Sequence, residues 1–203
     1  PIVQAPEEGE AQAAYMASTG QVWAASSQDF DSLLFGAPRL VRNLNITGRR
    51  KMPGSKVYRD ISIELIELSK VLEANGLRSR EQLIDLAILI GTDYNQGIRG
   101  IGPKKGLKLI QQHGDLDGAL RALGESIPQA ECVQDIFLRS EKVDVQDMEW
   151  RSPDREKILD YLSDEHGFSE KRVLSALDRL DGRKKPSKKA EMPRSQVSLD
   201  RWV

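Results

Sequence analysis

A glycine hairpin at residues 97–105 constrains this chain more than any other stretch, because it ends in a proline and two lysines. Its glycines, with Gly106 just beyond, let the main chain take positive φ and approach a partner closely. Pro103 sets φ for the first turn of a helix, and Lys104 and Lys105 follow. Two cations at the N-terminus of a helix interact unfavourably with the helix dipole, unless a bound anion in front of them offsets the repulsion. The pattern predicts a turn that binds phosphate through backbone N–H groups.

The same glycines also fit an ordinary loop between two helices. Ile98 and Ile101 lie on either side of Gly100, and with them the pattern resembles a helix-hairpin-helix DNA-binding element. Such an element grips the DNA backbone and not the base edges. The resemblance implies that the residues binding duplex DNA are Gly97, Ile98, Arg99, Gly100, Ile101, Gly102, Lys104 and Lys105.

The length of 203 residues allows one domain, or one domain with an appendage. No apolar run is long enough to span a bilayer, and no basic-then-apolar signal opens the chain. One cysteine, Cys132, excludes an internal disulfide and a cysteine-based metal site, which suits a reducing interior. His113 and His166 are far apart along the chain and give no credible zinc ligand set. We therefore expect an ordinary globular protein that does not contact a membrane.

Charge is divided unevenly along the chain. Residues 183–203 hold seven Lys or Arg against two acids, so residues 1–182 hold 23 bases against 29 acids. An acidic body argues against a protein that simply coats nucleic acid, unless its acids lie where divalent cations neutralise them.

The first part of the chain is typical of a parallel α/β layer, in which reactive groups follow the carboxyl ends of strands. A buried apolar helix at residues 80–90 then fixes the direction in which Asp93 is presented. We predict strands at 22–26, 39–46 and 57–60, a basic loop at 48–55, and helices at 5–18, 61–75 and 80–90.

Beyond the hairpin the pattern is entirely helical, with predicted helices at 104–113, 116–123, 131–140, 154–165 and 169–180. From residue 182 the composition changes to Lys, Arg, Ser and Pro without apolar periodicity. The predicted organisation is an α/β core with an acidic metal site at 1–78, a helical DNA-binding region at 79–181, a basic flexible linker at 182–195 and a binding tail at 196–203.

Five acids fall at predicted strand or helix ends, and we call them the carboxylate cluster: Glu8, Glu10, Asp29, Asp31 and Asp93. Each group alone has an ordinary explanation. Glu8 and Glu10 suit the first turn of a helix, and Asp31 suits the cap of a helical turn at 32–35. Together, these carboxylates would repel one another strongly without cations. Oxygen ligands select Mg²⁺ or Mn²⁺, and two such ions clamp a phosphodiester during hydrolysis.

Nearly the whole chain resembles the C-terminal part of the flap endonucleases, structure-specific 5′ nucleases of archaeal and eukaryotic replication and repair. The matching motifs are residues 5–11 (APEEGEA), residues 28–31 (QDFD) with Phe35 and Gly36, residues 91–94 (GTDY) and residues 98–104 (IRGIGPK).

The resemblance implies a 5′-nuclease (PIN-like) parallel-sheet core followed by a helical helix-hairpin-helix region. It implies two Mg²⁺ ions, with Mn²⁺ able to substitute, at catalytic acids of which Glu10, Asp29 and Asp31 contact metal directly. Glu8 and Asp93 would act through bound water. The implied substrate is branched duplex DNA with a 5′ flap, which the hairpin holds behind the cleavage site with the help of a K⁺ ion.

Two departures from the family pattern matter. Gly97 stands where many members have a serine that helps to bind the monovalent ion. The family's first half, which supplies further aspartates, phosphate-binding basic residues and the arch that threads the flap, is not among these residues. The chain begins without methionine, so we expect this N-terminal half upstream or as a partner, and we expect the 203 residues alone to be inactive.

The last eight residues fit the pattern by which tails bind a sliding clamp, with Gln196, then Leu199 at +3 and Trp202 at +6. One helical turn places Leu199 and Trp202 on one face, although so short a pattern also arises by chance. Val203 replaces a usual second aromatic, which predicts weaker anchoring. The resemblance implies a clamp of the PCNA type and an intracellular location, cytoplasmic or nucleoid in an archaeon and nuclear in a eukaryote.

The leading hypothesis is thus a structure-specific 5′ flap endonuclease and 5′–3′ exonuclease that hydrolyses phosphodiesters with two metal ions. The alternative is a non-catalytic module that binds DNA through the hairpin and a clamp through the tail. A third hypothesis, a small helical interaction protein, predicts no response to metal.

Overall fold

The computed structural model describes residues 1–45, 48–51, 54, 58–145, 148–149, 151–181 and 194–195. Within this part of the chain, residues 2–145 and 194–195 belong to one compact unit. Pro1 and the described residues from 148 to 181 belong to a second.

The larger unit begins with short strands and helices and continues with longer helices. Its first elements are α1 (Gly9–Ser18), β1 (Ala25–Ser26), α2 (Asp31–Leu34), β2 (Arg39–Arg42), β3 (Gly48–Lys51), β4 (Tyr58–Ile61), β5 (Glu64–Glu67) and α3 (Leu68–Ala74). These are followed by α4 (Arg80–Ile90), α5 (Pro103–His113), α6 (Leu116–Leu123) and α7 (Ala130–Arg139). The second unit contributes α8 (Arg155–Leu159), a π-helical segment (Asp160–Glu165) and α9 (Glu170–Leu180), and β6 (Arg194–Ser195) belongs to the larger unit.

The described strands form a four-stranded sheet in the order β1-β2-β5-β6 and a separate β3-β4 hairpin. β1 runs parallel to β2, with Ala25 opposite Leu40, and β6 runs parallel to β5. β2 and β5 are antiparallel, with Leu40 opposite Ile66. The predicted α/β class is confirmed, but this sheet is mixed and not wholly parallel. The reason is that the β3-β4 hairpin, and not a crossover helix, lies between β2 and β5 in the chain.

Two local predictions were wrong. The predicted basic loop contains β3, which pairs antiparallel with β4. The helix predicted from residue 61 begins only at Leu68, because the residues before it form β5. There Ile66 is 1% exposed and pairs with Leu40, so burial in the sheet outweighs the helical pattern.

α4 is the centre of the larger core, as its nearly continuous apolar sequence predicts. Leu83, Ile84, Leu86, Ile88 and Leu89 are each almost completely buried. The core also includes apolar residues of α1, β2, β5, α5 and α7, so residues on both sides of the predicted division at 78 and 79 share it. This packing fixes the end of α4, from which the Asp93 turn and the hairpin emerge.

The smaller unit pairs α8 with α9. Asp154 caps α8 by accepting a hydrogen bond from the backbone N–H of Lys157 at 3.2 Å. Arg155 donates to Asp178 at 2.9 Å and to Asp181 at 2.8 Å, which ties the start of α8 to the end of α9. Val173 and Leu177 are the apolar side chains that α9 buries.

Of the predicted linker at 182–195, the structure describes only residues 194–195. They form β6, in which Arg194 lies opposite Glu64 and Ser195 opposite Leu65. The predicted tail at 196–203 lies outside the described residues. None of the helices found in the described ranges has the length and apolar character needed to cross a bilayer.

Candidate active site

Glu8 and Glu10 lie at the start of α1. This helix is held by Ala11 and Ala14, which are fully buried. The carboxylate of Glu8 makes no capping hydrogen bond to α1; instead it accepts a hydrogen bond from the Tyr94 hydroxyl at 2.9 Å. The carboxylate of Glu10 accepts from the Ser27 hydroxyl, which lies just after β1. Both glutamates are therefore engaged with distant segments, and helix capping does not account for Glu8.

Asp29 and Asp31 lie in the loop that leaves β1. The backbone N–H of Asp29 donates to Ser27 Oγ at 3.0 Å, so the same hydroxyl contacts both Glu10 and the Asp29 segment. Asp31 is the first residue of α2, whose cap residue is Phe30 and has no side-chain capping bond. The alternative that Asp31 serves as the cap of this turn is therefore wrong.

Asp93 lies at the tip of a tight turn that follows α4. Thr92 N–H donates to the carbonyl of Asn95 at 2.9 Å, and Thr92 Oγ1 accepts from Tyr94 N–H at 3.1 Å. The side-chain amide of Asn95 donates to the carbonyl of Ile88 at 2.8 Å, which ties the turn to the last part of α4. Because α4 is buried, the turn presents Asp93 from a rigid base.

The members of the carboxylate cluster affect one another electrostatically. Burial raises the pKa of Glu10; the hydrogen bond from Ser27 opposes this shift, and the charges of Asp31, Asp29 and Glu8 add to it. Burial also raises the pKa of Asp31, as do the charges of Asp93, Asp29 and Glu8. The structure thus brings together the five acids that the sequence places in three separate segments.

A cleft of about 450 Å³ opens beside these acids. Asp29, Asp31 and Asp93 line its polar side. Its apolar side includes Leu86 of α4 and Pro103, the first residue of α5. The cleft therefore adjoins the end of the glycine hairpin.

The donor set of this cleft consists of carboxylate oxygens, which suits Mg²⁺ or Mn²⁺ and not a soft metal. Burial and repulsion by neighbouring carboxylates raise the pKa of Asp31 in the cleft and of Glu10 beside it, and a bound cation would relieve this repulsion. Within the described residues, however, no group of three or more His, Cys, Asp or Glu is arranged to hold a metal ion by itself. The acids fit part of a metal site, not a closed coordination shell.

Gly97 is required where the hairpin leaves the Asp93 turn. Its φ is +64°, and a Cβ there would overlap the carbonyl of Ile90 and the nitrogen of Gly91. The next residue, Ile98, donates from its N–H to the carbonyl of Leu89 at 2.9 Å. With the backbone in this conformation, the close approach to the end of α4 leaves no space for a Cβ at position 97.

The rest of the hairpin has an inner and an outer side. Ile98 and Ile101 pack against the core, whereas Arg99, Gly100, Lys104 and Lys105 are exposed. Gly100 has a φ of +82° with open space around it, and Lys105 Nζ donates to its carbonyl at 3.2 Å. α5 begins at Pro103 with no acid in its first turn and no side chain capping it. Backbone and cationic groups are thus presented together, as an anion site requires.

Sequence reasoning missed three residues that support the cluster. Ser27 and Tyr94 contact its glutamates, and Arg42 holds the loop that contains Asp29. The Arg42 Nε–H donates to the carbonyl of Gln28 at 3.0 Å, and its guanidinium lies 4.1 Å from the centre of the Phe30 ring. Ser27 adjoins the motif at 28–31 and Tyr94 is the last residue of the motif at 91–94, but no local signal indicates their partners.

Comparison with known proteins relates this chain to one group of nucleases. Residues 1–93 match the family model described as the XPG I-region. Flap endonuclease 1 of Archaeoglobus fulgidus is 50% identical over 202 residues, a match that covers 100% of this chain and 57% of that protein. Over its whole length, the chain is similar to the C-terminal part of the flap endonucleases. It spans a little over half the length of such curated relatives.

Solved structures of the flap endonuclease and related nuclease folds agree with this assignment. Flap endonuclease-1 from Methanococcus jannaschii superimposes with a TM-score of 0.73 at 41% identity, covering 89% of this chain and 52% of that one. Human GEN1, solved in complex with Holliday junction DNA, gives a TM-score of 0.63 at 25% identity and covers 92% and 52% of the two chains. The α/β core with its helical extension is therefore the fold of these nucleases.

Proposed function

We propose that this chain is the C-terminal portion of a structure-specific 5′ flap endonuclease and 5′–3′ exonuclease, which acts on branched duplex DNA inside the cell during replication and repair. The observation that carries the proposal is the meeting of Asp29, Asp31 and Asp93 along one cleft that Pro103 of α5 also lines. This arrangement would bring a phosphodiester to the carboxylates while the hairpin grips the DNA backbone nearby.

Glu10, Asp29 and Asp31 are proposed to hold divalent metal directly, and Glu8 and Asp93 to hold its bound water. Two Mg²⁺ ions at such a site, or Mn²⁺ in their place, lower the pKa of the attacking water and stabilise the leaving oxygen. The chain itself supplies the carboxylates, buries Glu10 and Asp31 in part, and orients them from buried elements. The remaining ligands are proposed to come from the N-terminal half of the nuclease.

The hairpin is proposed to hold duplex DNA through Gly97, Ile98, Gly100 and Gly102, with Arg99, Lys104 and Lys105 adding positive charge and Ile101 anchoring the turn. The exposed backbone of Gly100 and the uncapped start of α5 support this proposal. A K⁺ ion shared with a phosphate would need backbone ligands near Ile98 and Ile101, because Gly97 offers no hydroxyl. The DNA complex of human GEN1 supports DNA as the ligand of this fold.

One observation favours a second candidate. Because no group of three potential ligands among the described residues is arranged to hold a metal, the chain also fits a non-catalytic module that binds DNA and a clamp. Such a module would keep hairpin-dependent DNA binding whatever its metal content.

A fusion with the N-terminal part of the Archaeoglobus fulgidus relative tests catalysis. A labelled 5′-flap substrate would be incubated with Mg²⁺ and the 203-residue chain, the fusion, or the fusion carrying Asp29→Ala. We expect cleavage only by the unmutated fusion, because two-metal chemistry needs a complete ligand set. Cleavage by the Asp29→Ala fusion would refute the metal-site assignment, and an inactive but folded fusion that binds flap DNA would favour the non-catalytic module.

The tail supports a separate proposal, that Gln196, Leu199, Trp202 and Val203 bind a sliding clamp. Deleting residues 196–203 should abolish binding to a PCNA-type clamp and leave DNA affinity intact. Trp202→Ala should weaken clamp binding nearly as much, since losing a buried aromatic anchor costs about 2 kcal/mol or more. Calorimetry with the purified clamp gives the answer, and an unchanged affinity in Trp202→Ala would remove the assignment.

A further inference from the structure

Glu8, which precedes α1, and Glu10, in its first turn, each receive a hydrogen bond from a neutral hydroxyl on another segment. The Tyr94 hydroxyl donates to Glu8 at 2.9 Å, and the Ser27 hydroxyl donates to Glu10. We propose that Tyr94 and Ser27 are positioning residues, which hold Glu8 and Glu10 in the orientation that divalent metal requires. This inference rests on the proposed function and extends it to residues outside the carboxylate cluster.

The glutamates need an external support because α1 fixes their backbone but not their carboxylates. A glutamate side chain has three rotatable bonds, and the charges of Asp29 and Asp31 act on Glu10 from nearby. Among the residues that the structure describes, no lysine or arginine forms an ion pair with Glu8 or Glu10. Hydroxyl donors are therefore the side-chain contacts that restrain these two carboxylates.

A hydroxyl suits this role better than a cation would. An ionised carboxylate has about four lone-pair positions, so one donated hydrogen bond leaves the others free for a metal or its water. The hydroxyl carries no charge, and the full negative charge of Glu8 and Glu10 remains available. A lysine or arginine in its place would neutralise that charge and compete with the cation.

Tyr94 is itself held on two sides. Its N–H donates to Thr92 Oγ1 at 3.1 Å, and its ring meets the ring of Phe137 edge-on, with centroids 5.6 Å apart. Phe137 is fully buried and contacts Phe35, with centroids 5.0 Å apart. These packed aromatic rings hold the Tyr94 side chain in place, so its hydroxyl is directed at Glu8.

Ser27 joins two members of the cluster. Its hydroxyl donates a hydrogen bond to Glu10 and accepts one from the backbone N–H of Asp29 at 3.0 Å. Removing it frees the Glu10 carboxylate and also loosens the start of the Asp29 loop. We therefore expect Ser27→Ala to weaken metal binding more than Tyr94→Phe.

Mn²⁺ binding tests the inference without relying on cleavage. Calorimetric titration with Mn²⁺ would compare the 203-residue chain and the fusion described above, each with Tyr94→Phe, Ser27→Ala or Ser27→Thr. We expect affinity to fall about 10-fold in Tyr94→Phe and between about 10- and 100-fold in Ser27→Ala, the range for residues that orient metal ligands. Ser27→Thr keeps the hydroxyl and should restore most of the affinity, while the melting temperature stays close to that of the unmutated protein.

Two residues of the same chain provide matched controls. The Tyr15 hydroxyl also donates to a carboxylate, that of Asp144, and the Ser18 hydroxyl donates to the carbonyl of Tyr15 at 2.8 Å. Tyr15→Phe and Ser18→Ala remove the same atoms away from the cluster and should leave Mn²⁺ affinity unchanged. An equal loss of affinity in these controls would overturn the inference, because it would reflect general loosening.

The outcomes separate this inference from the proposed function. If the unmutated fusion binds Mn²⁺ and cuts a flap, and Tyr94→Phe and Ser27→Ala bind Mn²⁺ equally well, the positioning roles are wrong and the function stands. If the unmutated fusion neither binds Mn²⁺ nor cuts, both are overturned.

Discussion

The glycine hairpin and the carboxylate cluster adjoin one cleft but are built in opposite ways. The hairpin is one continuous segment whose inner residues, Ile98 and Ile101, attach it to the core. The cluster combines acids from the start of α1, the loop after β1 and the turn after α4. Its supporting contacts cross long distances in sequence, as Tyr94 and Glu8 are 86 positions apart.

This difference predicts how substitutions in each region should change the stability of the chain. The hairpin depends on backbone conformation, so a single added side chain can damage it. The cluster depends on charge and on the positions of its acids. Without a cation, repulsion between the ionised carboxylates destabilises the folded chain. Neutral substitutions of the clustered acids should therefore preserve or raise stability, whereas substitutions of the hairpin glycines should lower it.

The largest expected effect is on cleavage. In the fusion protein, Asp31→Asn should reduce the rate of flap cleavage by on the order of 1,000-fold, as loss of a key electrostatic group does. Affinity for the flap substrate should change little, because the hairpin is untouched. Single-turnover cleavage and a binding titration separate the two, with Asp135→Asn on the exposed face of α7 as control. A cleavage rate within a few-fold of the unmutated fusion would contradict the role of Asp31.

The next effect is on folding of the hairpin. Gly97→Ala adds a Cβ that overlaps the carbonyl of Ile90 at a φ of +64°, which should cost about 3 kcal/mol of unfolding free energy. Gly100→Ala meets only the conformational cost of its positive φ, about 1 kcal/mol, because the space around it is open. Urea unfolding of the two variants measures the difference. Equal losses would show that Gly97 is not needed for the close approach to α4.

The hairpin's cations provide a smaller test. Lys104→Ala combined with Lys105→Ala should weaken binding to duplexes of every sequence alike, because phosphate contacts carry no base information. The slope of log affinity against log salt should fall by about two units. Lys70→Ala is a suitable control, since Lys70 pairs with Glu67 on the surface. A loss that depended on base sequence would contradict a backbone grip.

The smallest effect concerns the pH dependence of stability. A substitution in the cluster should raise the free energy of unfolding, whereas the glycine substitutions in the hairpin should lower it. The pKa of Asp31 is raised in the folded chain, so folding favours its neutral form and stability is lost as pH rises above the ordinary carboxyl pKa of about 4. In metal-free buffer, Asp31→Asn should match the unmutated chain at low pH and exceed it by about 0.5–1 kcal/mol near pH 7. Thermal melts across pH provide the measurement. Equal or lower stability of Asp31→Asn at pH 7 would show that the acid is not repelled there.

Local patterns predicted the parts of the fold that depend on near neighbours. The buried helix α4 and the helices α5, α6 and α7 were anticipated nearly to their ends, because apolar spacing and the Pro103 start act within a few residues. β5 was missed because residues 64–67 become a strand only through pairing with β2, more than 20 positions earlier. The same limit hid Arg42, because its contacts with Gln28 and Phe30 depend on how the end of β2 meets the loop after β1.

By itself the sequence predicted the residues that we propose carry the chemistry: five acids, a glycine turn and the cations that follow Pro103. These depend on side-chain type and on backbone conformations set within a few residues. Tertiary structure alone decided that Asp29, Asp31 and Asp93 line one cleft. It also decided that Asp31 is not a helix cap and that the hydroxyls of Ser27 and Tyr94 donate to the glutamates. The physical reason is that repulsion, burial and hydrogen bonding between these groups act only once the packing of α1, β1 and α4 has brought distant segments within reach.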